Sequence, residues 1–188
     1  MILWRLLPRQ PDAAASAPGG ALWFPRELQG AGRHDNPDLY GCLYASESPV
    51  SAVAEALAPF RGTGTLSQAM LLRANLPLAL ARLDLEDGNE LVDLDDPRVL
   101  TGVRLHPSQV ATKARATTQA YAARLFDEHR TAVGLRWWST LEASFANLTL
   151  YDRAVPDLSL IDLEPLTLDH PATRDAADLV GLTIARGT

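Results

Sequence analysis

Two stretches of this sequence are dense in side chains that are costly to bury and useful in chemistry. The first is Gly30-Ala31-Gly32-Arg33-His34-Asp35-Asn36-Pro37, which leads into a strand carrying Tyr44 and a helix carrying Glu55. The second is Gly134-Leu135-Arg136-Trp137-Trp138-Ser139, followed by Asn147-Leu148-Thr149-Leu150-Tyr151-Asp152-Arg153. A guanidinium fork grips oxyanions at two points, so an arginine-rich chain has what a phosphate site uses. Arginine beside many alanines is also what coding bias produces, and composition does not choose between the two. The glycines and Pro37 around Arg33 favour a shaped loop over a plain surface arginine.

Other chemistries fit poorly. No GxGxxG or GxxxxGK[ST] occurs, so neither a Rossmann turn nor a P-loop is expected, and no Gly-x-Ser-x-Gly elbow marks a hydrolase. His34, His106, His129 and His170 are far apart and lack ligand spacing, so no metal site is expected. Cys42 falls mid-strand, where a free cysteine behaves as a small buried hydrophobe rather than a nucleophile.

The chain must supply elements that hold such groups. Its 188 residues fit one domain, residues 1–188, able to bury around 70% of its unfolded surface without metal or disulfide. A single cysteine excludes an internal disulfide and fits a reducing compartment. The apolar start, Met1 to Leu7, is short, interrupted by Arg5 and followed by Pro8. No signal peptide or membrane helix is expected, and the reading is cytoplasmic. Acidic side chains outnumber basic ones 23 to 17, with the basic ones scattered, which argues against direct nucleic-acid binding. Self-association is left open.

Strands are expected at Ile2–Leu7, Gly41–Ser46, Leu76–Leu85, Glu90–Leu94, Ala132–Trp138, Asn147–Tyr151, Ser159–Leu163 and Leu182–Ala185. Ser48-Pro49 and Asp96-Pro97 are helix starts, with a capping side chain before proline at the first helical position. The first of these helices runs to about Leu57. Further helices are expected over Leu66–Ala74, Val110–Glu128 and Ala172–Leu179. In the helix from Val110, Ala114, Tyr121 and Leu125 share one face. Residues 8–39 form a long loop of the kind that is often functional. Without regular β-α alternation, the fold class is α+β, with a mainly antiparallel or mixed sheet.

In this order, Gly32-Arg33, Leu43-Tyr44, Ala52-Val53-Ala54-Glu55, Trp137-Trp138-Ser139 and Tyr151-Asp152-Arg153 resemble the RES domain family, over Trp4-Arg5 to about Arg153. The resemblance implies a fold similar to ADP-ribosyltransferase toxins and an activity that cleaves NAD⁺ at the nicotinamide–ribose bond. It implies a toxin of a toxin–antitoxin pair, with an Xre-type antitoxin as partner. NAD⁺ is then a substrate rather than a cofactor, with phosphate, water or a protein side chain as acceptor, in that order.

On this resemblance Glu55 stabilises the cationic ribose, Arg33 binds pyrophosphate and Tyr44 stacks on nicotinamide. Ser139 bonds the nicotinamide amide or a ribose hydroxyl, and Arg136 or Arg153 receives phosphate. One departure is His34, which stands where the family carries an aromatic residue. It leaves open a rival reading, a nucleotide-binding module with impaired turnover, and His34 itself is read as substrate-binding. Pattern alone makes Glu55 a solvated residue, roughly 150° from the Val50, Val53, Ala54 and Leu57 stripe. Both readings hold if the helix packs one face on the core and turns the other to a cleft.

Overall fold

The structure, a computed structural model, describes residues 1–184. Its strands are β1 (Ile2–Pro8), β2 (Cys42–Ser46), β3 (Thr65–Leu66), β4 (Leu72–Arg73), β5 (Leu76–Leu85), β6 (Leu91–Asp93), β7 (Gly134–Trp138), β8 (Ala146–Tyr151), β9 (Leu158–Pro165) and β10 (Thr183–Ile184). Its helices are α1 (Pro49–Leu57), α2 (Pro97–Gly102), α3 (Pro107–Ala111), α4 (Arg115–Glu128) and α5 (Pro171–Val180). The class is α+β: a mixed sheet of eight strands flanked by helices. No helix among the described residues is long and apolar enough to cross a membrane.

The chain forms two compact units, divided within β2 between Tyr44 and Ala45. One comprises Met1, Phe24–Tyr44 and Leu85–Leu158. There β8 pairs antiparallel with β7, and β6 joins β7 in parallel. Val92, Leu94, Leu100, Val110, Tyr121, Leu125, Leu135 and Trp137 build its core. The other comprises Ile2–Trp23, Ala45–Asp84 and the chain from Ser159. There β1 lies antiparallel to β5, from Ile2 opposite Asp84 to Pro8 opposite Leu78, and Trp4 pairs Ser46 of β2. Strand β9 also pairs β5. Helix α1 packs on β1 and α5 and buries Ser51, Ala52, Val53, Ala54 and Leu57.

Ser48 caps α1 as expected: its hydroxyl accepts from the Ser51 N–H, and Pro49 takes the first turn. Asp96 does the same for α2 through the Arg98 N–H. Two expectations are corrected. Leu66–Ala74 is not a helix. It holds β3, a 3-10 turn at Gln68–Leu71, and β4. Ala74 and Asn75 take positive φ, 50° and 62°, and join β4 to β5 as a hairpin. A tight left-handed turn suits the strand twist and ends any helix before it. The single helix from Val110 to Glu128 is instead α3 and α4, broken at 112–114, and Ala114 is exposed rather than on the buried face. Of the expected strand Leu182–Ala185, Thr183 and Ile184 form β10 beside β3, and Ala185 lies outside the described residues.

Candidate functional site

Loop 30–36 is held through the N–H groups of Gly30, Gly32 and His34 and the carbonyls of residues 30–34, which is how irregular backbone tolerates burial. Gly30 sits at φ 145°, a conformation side chains rarely adopt. Its N–H and that of Gly32 both donate to Asp35 Oδ2, at 2.8 and 2.6 Å. A Cβ on Gly32 would meet Asp35 Oδ1 at 2.4 Å, so only glycine fits. Helix α4 takes the carbonyls: Gln119 Nε2 donates to Gly30 O and Gly32 O, Arg115 Nε to Ala31 O, and Thr118 Oγ1 to Arg33 O. Tyr40 Oη donates to His34 O at 2.6 Å.

Arg33 is buried at 9% exposure. Its Nη1 donates to Val110 O at 2.7 Å and Thr112 O at 2.8 Å. Those carbonyls belong to the last turn of α3 and the residue after it, so the guanidinium sits where the helix breaks. The indole of Trp137 lies under the guanidinium, 4.8 Å from its centroid, a cation–π contact that favours the charge.

His34 is fully buried. Its Nδ1 lies 2.7 Å from Thr149 Oγ1 and its Nε2 2.8 Å from Tyr121 Oη. Burial, and then the neighbouring Arg33 charge, hold the imidazole well below its ordinary pKa, so it is neutral. The ring packs edge-on to Trp137 at 5.4 Å. Both nitrogens are engaged inside the protein, tying the loop to Thr149 of β8 and Tyr121 of α4.

Tyr44 is half-buried and its hydroxyl has two partners. It accepts from the His34 N–H at 2.9 Å and donates to Asp35 Oδ1 at 2.7 Å. Cys42 Sγ also donates to Asp35 Oδ1, at 3.2 Å. Burial works against the charged Asp35 carboxylate. The bonds from Tyr44, Gly30, Gly32 and Cys42 outweigh it and hold its pKa below the usual carboxylate value. Burial and the same carboxylate push the Cys42 thiol upward, as expected for a buried hydrophobe rather than a nucleophile.

Ser139 follows β7 and is buried at 2%. Its N–H donates to Phe145 O at 2.7 Å and its Oγ accepts from the Leu141 N–H at 3.1 Å, closing the turn toward β8. Arg33, His34, Tyr44 and Ser139 thus lie in one unit. Glu55, in the other unit, is half-buried on α1, less solvated than the helical pattern alone expects. The two arginines considered for phosphate are engaged elsewhere. Arg136 pairs with Asp93 at 3.2 Å and Asp95 at 3.5 Å. Arg153 donates to Phe126 O and His129 O at the end of α4 and lies over the Phe126 ring, 3.8 Å from its centroid.

Sequence reasoning gave no site role to Asp35, Thr118, Gln119, Tyr121 or Thr149, although Asp35 and Thr149 stand in the two dense stretches. The signal was available in Thr117-Thr118, a β-branched hydroxyl pair that sits poorly inside a helix unless it bonds outside it. Among the described residues no three His, Cys, Asp or Glu side chains gather into a metal-binding group.

This chain matches the family model described as RES domain over residues 2–175, and it belongs to that family. Among solved structures it is similar to the crystal structure of the M. tuberculosis MbcT–MbcA toxin–antitoxin complex. That match has 18% identity and a TM-score of 0.65, covering 96% of this chain and 88% of the other. No curated protein matches the sequence.

Proposed function

We propose that this chain cleaves NAD⁺ at the nicotinamide–ribose bond, with phosphate as the first acceptor and water as the second. We further propose that it is the cytoplasmic toxin of a toxin–antitoxin pair. The observation that carries the reading is the RES family match over residues 2–175, a span that holds Arg33, Tyr44, Glu55 and Ser139. Similarity of fold to the MbcT–MbcA toxin–antitoxin complex supports a protein antitoxin, for which the Xre type is the expected class.

In this reaction the C–N glycosidic bond breaks and its electron pair passes to the nicotinamide nitrogen, cancelling the pyridinium charge. The ribose carbon becomes cationic and takes an oxygen from phosphate, giving a phosphorylated ADP-ribose, or from water, giving ADP-ribose and a proton. Glu55 is the carboxylate that stabilises this cation and accepts from a ribose hydroxyl. Arg33 supplies positive charge for the pyrophosphate. Tyr44, its hydroxyl engaged by His34 and Asp35, stacks its ring on nicotinamide. Ser139 bonds the nicotinamide amide or a ribose hydroxyl.

The test is to incubate purified protein with NAD⁺, with and without phosphate, and identify products by mass spectrometry. Nicotinamide with a phosphorylated ADP-ribose supports phosphorolysis; ADP-ribose alone supports hydrolysis. Transfer of radiolabel from labelled NAD⁺ to polypeptide marks a protein ADP-ribosyltransferase. Unchanged NAD⁺ marks a binding module. Glu55→Ala is expected to lower turnover by about 100-fold or more while remaining folded, the scale of losing one transition-state contact. A folded variant with full turnover removes Glu55 from its role. Expression is expected to be toxic, and co-expression of a neighbouring reading frame to relieve it.

A further inference from the structure

The Asp35 carboxylate receives four donors from four residues: Gly30 N–H and Gly32 N–H on Oδ2, Tyr44 O–H and Cys42 S–H on Oδ1. An ionised carboxylate offers about four lone-pair directions, so this one is saturated from within the protein. An asparagine in its place presents an NH₂ group to two of those donors whichever way it is turned. With the amide oxygen toward the two glycines, its NH₂ forces the Tyr44 hydroxyl and the Cys42 thiol to turn from donors into acceptors, which the carboxylate does not. Nor does Asp35 have a lone pair left for a ribose or a leaving group, which excludes it as the carboxylate that meets the substrate.

Three of the four donors bear on Arg33. Gly30 and Gly32 set the backbone on its N-terminal side. The Tyr44 hydroxyl, besides donating to Asp35, accepts from the N–H of His34, the residue that follows it. The backbone that launches the guanidinium is thus pinned on both sides through one carboxylate. The geometry points to Asp35 as a positioning residue of the NAD⁺ site, acting through loop 30–36 and the Tyr44 hydroxyl to set where Arg33 meets the dinucleotide. It rests on the NAD⁺-cleaving reading above.

Steady-state kinetics on the full chain separate this role from a purely structural one. Arg33 contacts the pyrophosphate equally in ground state and transition state. Misplacing it therefore raises KM and leaves kcat nearly constant. Asp35→Asn is expected to raise KM for NAD⁺ about tenfold, the loss of one charge-assisted contact, with kcat within about twofold. Tyr44→Phe, which keeps the ring and removes the hydroxyl, is expected to do the same to a smaller degree. The double variant is expected to be little worse than Asp35→Asn, since both act through one node. An unchanged KM with a reduced amount of active enzyme marks Asp35 as a folding residue only and overturns the inference. If Asp35→Asn does not fold, Tyr44→Phe decides, and an unchanged KM overturns the inference.

Wild-type protein that leaves NAD⁺ intact fails the reading of function instead. The inference is then decided by amide hydrogen exchange. Gly30 and Gly32 are expected to exchange at least about tenfold faster in Tyr44→Phe, with Leu83 of β5 unchanged. Equal exchange at the two glycines overturns it.

Discussion

A buried imidazole with a hydroxyl on each nitrogen makes the protein sensitive to mild acid. Thr149 Oγ1 already accepts from Trp137 Nε1, at 3.3 Å. Neutral His34 lets one hydroxyl donate and the other accept; the imidazolium forces both to accept and strands their own protons. Its folded-state pKa is well below the ordinary value, first through burial and then through Arg33. The unfolded chain therefore binds a proton that the folded chain does not, and stability falls as pH drops below about 6.5. The slope from His34 approaches about 1.4 kcal/mol per pH unit. Asp35 adds little in this window, since a depressed carboxylate loses its contribution only in more acidic solution. Urea unfolding at pH 7.5, 6.5 and 5.5 measures the slope. His34→Gln, neutral throughout, is expected to flatten it, and an unchanged slope in that variant would refute the assignment. In the sequence, His34 was visible as a departure from a resemblance. Its burial was not, because the partners that make burial tolerable, Tyr121 and Thr149, are 87 and 115 residues away.

The break between α3 and α4 shows how one side chain divides a helical pattern. Periodicity carries from Val110 to Glu128, yet the Val110 and Thr112 carbonyls turn to the Arg33 guanidinium instead of to later N–H groups. A helix end needs partners for its last carbonyls, and here a distant arginine supplies them. Arg33→Ala is therefore expected to cost about 3 kcal/mol of stability, by stranding two carbonyls and removing the contact with Trp137. Arg33→Lys is expected to recover part of that stability but to raise KM for NAD⁺ with kcat nearly constant, because an ammonium bonds carbonyls but lacks the fork for a pyrophosphate. Denaturant midpoints beside steady-state KM check both. A lysine variant with an unchanged KM would show that charge alone suffices. Elements whose signals are local were legible: Ser48-Pro49 opens α1 and Asp96-Pro97 opens α2 where expected. Leu66–Ala74 was misread because the positive φ of Ala74 is a demand of the β4–β5 hairpin and leaves no mark in an alanine.

At the scale of the whole chain, composition and site chemistry pull in opposite directions, and that opposition makes binding testable. A net charge of −6 disfavours polyanions in general. Part of the cationic surface is already spent, with Arg124, Arg136 and Arg174 paired to carboxylates. The α+β class and the order of the RES segments were legible because each segment carries its own pattern. The make-up of the compact units was not, because each is assembled from stretches far apart in the sequence. An NAD⁺ site in such a chain must owe its affinity to placed groups rather than to a basic field. Glu55→Gln keeps side-chain volume and removes the charge proposed to stabilise the ribose cation, so the substrate is expected to bind and survive. A ligand at about 100 times its dissociation constant adds about 2.7 kcal/mol of stability. For a chain of 188 residues this corresponds to a rise in Tm of roughly 5–10 °C. Thermal unfolding of Glu55→Gln with NAD⁺ is expected to show that rise, and duplex DNA at equal charge concentration to give none. A shift with DNA, or none with NAD⁺, would move the ligand away from the dinucleotide class.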